Sequence, residues 1–238
     1  MEVLIFSMQK DFECANWLLL LHIKAFCWEN PAAWLFVGNS RVTILCLSYC
    51  GVSNHTVSDY YGFYRQLVAD SLEEIDCRIG GPGIIVEIDE SKFGTRKHNR
   101  GHRVEGVWVV GGVERTLEKK VFVCKIESRN AATLRDVISR FVLPGSIIYS
   151  DMWRGYANIE EELGLQHHTV NHSVEFVSEQ GVHTNTIEAT WCGMKILIPK
   201  RNRTKQIDNH LWEYVWRKKS RVQLWSSLMQ AFTVVSYE

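Results

Sequence analysis

The chain has 238 residues, of which 46% are hydrophobic and 23% are charged. This length and apolar content predict a globular protein with one sizeable core and exclude a disordered chain. The 27 basic and 27 acidic residues give a formal net charge of +0, so the overall charge says nothing about a polyanionic partner.

The amino-terminal segment, residues 1–43, is expected to be helical, and its pattern indicates no chemistry. Its apolar tract Trp17–Leu21 ends at His22 and is too short to span a bilayer. The flanking residues lack the basic-then-apolar order of a secretory signal. The seven cysteines are odd in number and include no C-x-x-C pair, which is typical of a reducing compartment. We therefore expect a soluble protein with no membrane partner.

Residues 44–80 show two helical periodicities separated by Gly51, a pattern similar to a helix-turn-helix. Ser53 is expected to cap the second helix, which the apolar spacing places at Thr56–Leu67. An ordinary helical hairpin fits the pattern about as well, because Arg65 is the only arginine or lysine on that second helix. Reading of DNA bases by this region therefore stays open.

The third region, residues 81–238, follows a Gly-Gly-Pro-Gly boundary and mixes strand and helix patterns. Three strands come first, and a tight polar connection between the second and third predicts an antiparallel meander. A mixed order of helices and strands follows, with a short helix near Trp153, and predicts an α/β fold. The predicted bounds are Ile84–Glu90, Glu105–Val113 and Leu117–Glu127 for the meander, Asn130–Phe141 for the next helix, and Ser146–Ser150 and Gln166–Asn171 for the later strands.

Three carboxylates lie on three separate elements of this region. Asp89 ends the strand I-I-V-E-I-D, Asp151 ends the strand S-I-I-Y-S-D, and Glu188 lies on a predicted helix. Carboxylates from two strand ends and one helix can hold divalent cations against a phosphodiester. Lys195 follows Glu188 by seven residues, so both project from nearly the same helical face. The pattern predicts a metal-dependent nucleic-acid enzyme.

Each carboxylate also has a structural interpretation. Asp89 lies in an acidic cluster and can be a solvated turn residue. Asp151 follows a serine and can cap the next helix. Asn185 is a candidate cap for the last of these helices, and together with Glu188 it fits a capping box. Any one of these acids alone is more often structural, and their joint occurrence favours the site.

Two basic blocks in the neutral chain predict a local phosphate-binding surface, although solvated faces of lysine and arginine explain any single block as well. Lys195 is expected to hold a DNA backbone phosphate as a point charge. The expected DNA contacts are Lys92, Arg96, Lys97, Arg100 and Arg103 in the first block and Lys195, Lys200, Arg201 and Arg203 in the second.

Aromatic residues and histidines also surround the predicted ligands. Core packing is favoured over base stacking for the aromatics. The histidines are not expected to share one helical face, so a polar or DNA-proximal role is favoured over a zinc site. The aromatic residues are Trp153, Tyr156 and Trp191, and the histidines are His168, His172 and His183.

Four ordered motifs resemble the transposases of Merlin-type DNA transposons and their bacterial insertion-sequence relatives. They are V-E-I-D-E-S-K-F-G at residues 86–94, Y-S-D-M-W-R-G-Y at 149–156, V-N-H-S at 170–173 and H-T-N-T-I-E-A-T-W-C-G-M-K at 183–195. The resemblance spans roughly Gly81 to Phe232. It implies a ribonuclease-H-like fold, a mixed sheet flanked by helices. It also implies a DDE triad of Asp89, Asp151 and Glu188 that binds two Mg²⁺ or Mn²⁺ ions.

The resemblance implies a DNA transposase that cleaves and joins double-stranded DNA at transposon ends and target sites. It further implies a homo-oligomer acting in the nucleus. Such transposases generally carry a cysteine-rich zinc-binding segment before the helix-turn-helix, and residues 1–43 offer only Cys14 and Cys27. The alternative is therefore a host-retained or decayed derivative that binds DNA without catalysis.

Overall fold

The structure is a computed structural model that describes residues 53–94, 106–170, 183–204 and 207–237. The chain divides into two compact units, one of Leu72–Leu224 and the other of Met1–Ser71 with Trp225–Glu238. The predicted segment 1–43 and the predicted turn at Gly51 lie outside the described residues. Within the ranges that are described, no helix combines the length and the apolar character needed to cross a membrane.

The described elements alternate between strand and helix. The strands are β1 (Ile79–Gly80), β2 (Ile85–Phe93), β3 (Val107–Glu114), β4 (Val121–Ile126), β5 (Val142–Leu143), β6 (Ile147–Asp151) and β7 (Gln166–Val170). The helices are α1 (Asn54–Asp70), α2 (Ala131–Phe141), α3 (Ile159–Leu163), α4 (Asn185–Leu197), α5 (Asp208–Lys219) and α6 (Leu224–Val234). Short 3₁₀ turns lie at Glu74–Cys77, Arg154–Tyr156 and Lys200–Asn202.

Five strands of the larger unit form one mixed sheet in the order β4-β3-β2-β6-β7. Strands β2, β3 and β4 pair antiparallel, which confirms the predicted meander. Strand β6 is parallel to β2, and β7 is parallel to β6. A parallel pair needs a crossover connection, and helix α2 lies in the connection that returns the chain to β6. The topology therefore places the two aspartate-bearing strands side by side.

Helices cover both faces of this sheet. Gly112 of β3 is paired with Phe122 of β4, whose ring stacks on Phe141 of α2 with centroids 5.1 Å apart. The adjacent residue Gly111 points to the opposite face, where Trp191 of α4 lies against it. The larger unit is thus a mixed α/β fold with a mixed sheet flanked by helices, as the sequence predicts.

The third strand is shorter than the sequence predicts. Strand β4 begins at Val121, whereas the apolar pattern places its start at Leu117. Leu117 is 99% exposed, and Lys119 adopts a positive φ of 50° in the turn before the strand. A residue with left-handed backbone angles cannot continue an extended strand, so Leu117 and Lys119 belong to the turn and not to the strand. The predicted helix after β4 is confirmed, with Asn130 accepting a hydrogen bond from Thr133 N at 2.8 Å as its cap.

The smaller unit contains α1 and α6. Ser53 Oγ accepts a hydrogen bond from Thr56 N at 3.1 Å, which confirms the predicted cap. The two helices share an aromatic cluster, in which Phe232 packs against Phe63 and Tyr64 with centroids 6.3 and 6.2 Å away. The hydroxyl of Tyr237 donates to Asp70 at 2.9 Å. These aromatic contacts join the two helices of the smaller unit.

Candidate active site

Asp89 and Asp151 lie on neighbouring parallel strands in the same alignment. The last paired residues of β2 and β6 are Glu87 and Tyr149, an offset of 62 residues (149 − 87 = 62). Asp151 also follows Asp89 by 62 residues (151 − 89 = 62). Each aspartate therefore lies two residues beyond the last paired residue of the two strands, in the same register. Residues two apart on a strand point to the same face. The two carboxylates therefore project from one face of the sheet at adjacent positions.

Helix α4 runs along this face of β2 through three polar contacts. Successive contacts are five and then four residues apart on the helix, a rise of about 7.5 and 6 Å, and two residues apart on the strand, about 6.7 Å. The contacts therefore repeat at matching intervals on the two elements. They join Thr186 N to Glu87 Oε2 at 2.8 Å, Trp191 Nε1 to Asp89 Oδ2 at 3.0 Å and Lys195 Nζ to Ser91 Oγ at 2.6 Å.

Glu188 lies in the first turn of α4, three residues before Trp191, and its side chain is exposed. The prediction that Asn185 caps this helix is wrong, because Thr184 is the cap residue and Asn185 is the first helical residue. The backbone donors of the first turn, at Thr186 and Ile187, are instead bound by Glu87. Glu87 of β2 thus accepts the hydrogen bonds that these amides at the start of α4 donate.

Negative charge is concentrated around Asp89. Burial raises the pKa of Asp89 above its ordinary value, and the charges of Asp151 and Glu188 add to this rise. Hydrogen bonds from the Glu90 backbone and from Trp191 oppose it. The effect of the Asp151 and Glu188 charges on Asp89 places all three predicted ligands in one electrostatic environment.

Glu90 lies beside Asp89 in sequence but points to the other face of β2. Burial, together with the charges of Asp89 and Asp151, raises the pKa of Glu90 to about 7. Its Oε1 atom and the hydroxyl of Tyr156 are both buried, and the interaction of this hydroxyl with Glu90 opposes the rise in the pKa of Glu90. Burial also raises the pKa of Tyr156 well above its ordinary value. Neither group was singled out as a site residue from the sequence.

The acidic residues fit a divalent cation in their donor chemistry and charge. Hard carboxylate oxygens suit Mg²⁺, and a cation would relieve the repulsion from Asp151 and Glu188 that adds to the effect of burial on the pKa of Asp89. Asp151 Oδ1 accepts a hydrogen bond from Trp153 N at 3.0 Å, so this aspartate also orders the turn that follows its strand. Across the described ranges, no group of three or more His, Cys, Asp or Glu side chains is arranged to hold a metal ion.

The predicted DNA-contacting cations fall into different environments. Lys92 lies 5.3 Å from the Trp108 ring centre, and Lys200 and Arg201 are exposed. Arg203 donates to Ile198 O at 3.0 Å and to Lys195 O, so it binds carbonyls at the end of α4. The remaining predicted cations, Arg96, Lys97, Arg100 and Arg103, lie outside the described residues.

The aromatic residues near the site are packed, as predicted. Trp191 and Tyr156 are 4% and 1% exposed and belong to the core. Trp153 is partly buried, and the guanidinium groups of Arg129 and Arg154 lie 4.6 and 5.7 Å from its ring centre. The hydrogen bond from Trp191 to Asp89 was not foreseen.

The histidines do not gather into a described metal site. His168 on β7 is exposed and lies edge-on to the Tyr149 ring at 5.7 Å. His183 Nδ1 lies 3.6 Å from Glu87 Oε1, and His172 is outside the described residues. The role of Glu87 was missed from the sequence. The signal was available, because Glu87 is an acid in the same alternation as Asp89 and lies between the buried apolar residues Val86 and Ile88.

A family model, the ISXO2-like transposase domain, matches residues 80–218, which is more than half of the chain. The matched range contains Asp89, Asp151 and Glu188. A comparison with curated proteins finds no match. The chain therefore belongs to the ISXO2-like transposase domain family.

Proposed function

We propose that the chain is a DDE transposase with a ribonuclease-H-like catalytic domain that cleaves and joins DNA strands with divalent metal ions. The observation that carries this proposal is the shared alignment of Asp89 and Asp151, with α4 bonded to Asp89 at Trp191. Family membership supports transposition as the activity. The mixed sheet flanked by helices is compatible with a ribonuclease-H-like fold.

In this proposal Asp89, Asp151 and Glu188 hold two Mg²⁺ or Mn²⁺ ions. Such ions activate the attacking water or 3′ hydroxyl and stabilise the leaving oxygen. The proposed ligands lie on β2 and β6, which pair in the sheet, and on α4, which is bonded to β2 through Trp191 and Asp89. Trp191 orients the Asp89 carboxylate through its indole N–H. A hydrogen bond of this kind from a packed neighbour favours a fixed ligand geometry.

Lys195 is proposed to hold a backbone phosphate beside the metal ions. Burial and the charge of Arg203 lower the pKa of Lys195, whereas Asp89 raises it. The ammonium lies on the same face of β2 as Asp89, since it donates to Ser91 Oγ. A phosphate contact of this kind positions DNA without reading its sequence.

The proposed partner is double-stranded DNA, at both transposon ends and target. The exposed cations Lys92, Lys200 and Arg201 support this partner. The motif resemblance supports a relationship to Merlin-type transposases, and with it a homo-oligomer and a nuclear site of action. These assignments stay proposals.

The test is cleavage of supercoiled plasmid by the full chain with Mg²⁺, Mn²⁺ or EDTA. We expect nicked and linear products only with the metal ions, and a loss of about 100-fold or more when Asp89→Ala, Asp151→Ala or Glu188→Ala is introduced. Glu118→Ala is the matched control, because this acid is 71% exposed in the turn before β4. A triple alanine variant that cleaves as fast as the parent would overturn the proposal.

A second candidate is a non-catalytic DNA-binding derivative. It is favoured by the finding that, in the part of the chain that the structure describes, no three potential ligands are already arranged to hold a metal ion. This candidate predicts salt-sensitive DNA binding that neither EDTA nor substitution of the three acids diminishes. The plasmid assay separates the two candidates.

A further inference from the structure

Glu87 is a fully buried carboxylate, with 0% of its side chain exposed. It lies two residues before Asp89 on β2 and points to the same face. A buried charge is costly unless it is paired and hydrogen-bonded. The partners of Glu87 therefore show what this charge does in the fold.

Both carboxylate oxygens of Glu87 are occupied by donors from elsewhere in the chain. Oε2 accepts from the backbone N–H groups of Thr186 and Ile187 at 2.8 and 3.0 Å. Oε1 accepts from Thr186 Oγ1 at 2.9 Å and from Arg115 Nε at 2.6 Å. These bonds satisfy the first turn of α4 and leave Glu87 as an anchor for that helix.

Arg115 extends this anchor to the other two elements of the proposed site. Its Nη2 atom donates to His183 O, just before α4, at 3.2 Å. Its guanidinium lies 4.8 Å from the ring centre of Tyr149 on β6. Its backbone N–H donates to Ile85 O at the start of β2 at 2.9 Å. The pair of Glu87 and Arg115 thus contacts β2, β6 and the beginning of α4 together.

We propose that Glu87 and Arg115 are positioning residues for the metal site. They hold the first turn of α4 against β2 and β6, so that Glu188 is presented beside Asp89 and Asp151. Glu188 directly follows Ile187, whose N–H is bound by Glu87, so release of this bond frees the backbone next to the third ligand. The inference rests on the proposed function, because it assigns a purpose to the placement of Glu188.

The test compares Glu87→Gln with Glu114→Gln at a temperature well below unfolding. Glu114 is a matched control, since it is 3% exposed on β3 and accepts bonds from Gly80 N and Thr116 Oγ1 at 2.7 and 3.0 Å. Both variants lose one buried charge and are expected to unfold at a lower temperature. Only Glu87→Gln is expected to raise the Mg²⁺ concentration for half-maximal plasmid cleavage, by about 10- to 100-fold.

A second readout follows α4 without using activity. Hydrogen exchange of the peptide 183–197 is expected to speed up in Glu87→Gln at the Thr186 and Ile187 amides and to stay at the parent rate in Glu114→Gln. Thr186→Val is the milder variant, because it removes the hydroxyl donor and keeps the backbone N–H. It is expected to give a change of the same kind but smaller, and it serves if Glu87→Gln does not fold.

The results separate the two proposals. If Glu188→Ala is inactive while Glu87→Gln, or Thr186→Val in its place, matches Glu114→Gln in Mg²⁺ dependence and in exchange, the positioning role is overturned and the proposed function stands. If Glu188→Ala cleaves like the parent, the proposed function fails. Faster hydrogen exchange of α4 in Glu87→Gln would then show that Glu87 stabilises the fold alone, and the proposed positioning role would also be wrong.

Discussion

Trp191 donates its indole N–H to Asp89 Oδ2 at 3.0 Å, which joins the middle of helix α4 to the aspartate of strand β2. The same ring packs edge-on against Phe93 with centroids 6.1 Å apart and is 4% exposed. A residue that the sequence assigns to the core therefore also orients a proposed metal ligand. Packing of α4 and geometry of the site are coupled through this one side chain.

Substitution of Gly111 tests this coupling. A Cβ atom at Gly111 would lie 2.7 Å from Trp191 Cη2, closer than unstrained packing allows. Gly111→Ala is expected to cost about 1–3 kcal/mol of unfolding free energy through overpacking. It should also lower metal-dependent cleavage, because Trp191 must move away from Asp89. Thermal unfolding and plasmid cleavage measure the two effects.

Gly62→Ala is the control for that experiment. Gly62 lies within α1, and a Cβ there meets nothing within 4 Å. Alanine in an open helical position is expected to stabilise the protein by about 0.5–1 kcal/mol. A Gly111→Ala variant with the unfolding temperature and activity of the parent would contradict the coupling of Trp191 to the site.

Removal of the Asp89 charge is expected to separate stability from activity. Burial and the charges of Asp151 and Glu188 disfavour the ionised form of Asp89, as its raised pKa shows. Asp89→Asn keeps an oxygen that can accept from Trp191 and removes the repulsion. The metal-free variant should unfold at a temperature about 2–4 °C above the parent, which corresponds to about 1 kcal/mol in a domain of this size.

The same variant should lose both cleavage and the stabilisation by Mg²⁺. A ligand that binds only the folded state raises the unfolding free energy of the parent by about 2.7 kcal/mol at 100 times its dissociation constant, and the unfolding temperature rises with it. Calorimetry with and without Mg²⁺ measures this difference. An Asp89→Asn variant that is less stable than the metal-free parent, or that responds equally to Mg²⁺, would argue against the proposed ligand role.

The raised pKa of Glu90 predicts that the stability of the metal-free protein depends on pH. Because the folded-state pKa is raised from 4.5 to about 7, the protonated form is favoured by folding. The stability linked to this group is present below pH 4.5 and is lost as the pH rises through about 7. Glu90→Gln should therefore match the parent in acid and exceed its unfolding free energy above pH 8, by at most about 3 kcal/mol.

Denaturant titrations of both proteins in EDTA, from pH 4 to pH 9, test this expectation. Glu118→Gln provides the comparison, since a change at this exposed position should stay within about 0.5 kcal/mol. A stability difference between Glu90→Gln and the parent that is the same at every pH would show that burial does not shift this carboxyl.

Lys195 is expected to contribute one ion pair to DNA binding. Lys195→Met keeps much of the side-chain volume and removes the charge. The slope of log affinity against log salt should fall by about 1, with weaker binding to every duplex sequence. Fluorescence anisotropy with a labelled duplex measures this slope. Lys120→Met is the control, because Lys120 pairs with Glu118 at 3.3 Å in the turn before β4. An unchanged slope for Lys195→Met would show that Lys195 does not contact a DNA phosphate.

Local patterns in the sequence predicted the sheet and its helices well. Apolar alternation identified β2 and β6, and helical spacing identified α2 and α4, because burial of one face imposes those periods. Asp151 ends β6 as predicted, whereas Asp89 lies inside β2, which continues past the predicted end at Glu90 to Phe93. Leu117 was misassigned because an apolar side chain alone does not report a turn in which Lys119 takes a positive φ.

The anchor of α4 was not predictable in this way. Glu87 and Thr186 lie 99 residues apart, and no local pattern records which distant donors a buried carboxylate will meet. For the same reason the hydrogen bonds from the Arg203 guanidinium to Ile198 O and Lys195 O at the end of α4 were not predicted. Tertiary contacts decide the role of such charged residues.

The central claim is that Asp89, Asp151 and Glu188 hold divalent metal ions together. A crystal of the protein grown with Mn²⁺ and measured at the manganese absorption edge tests it most directly. The account predicts anomalous peaks about 3.5–4 Å apart, each within about 2.5 Å of carboxylate oxygens from these residues. Well-occupied Mn²⁺ bound elsewhere, with no peak between β2, β6 and α4, would contradict it.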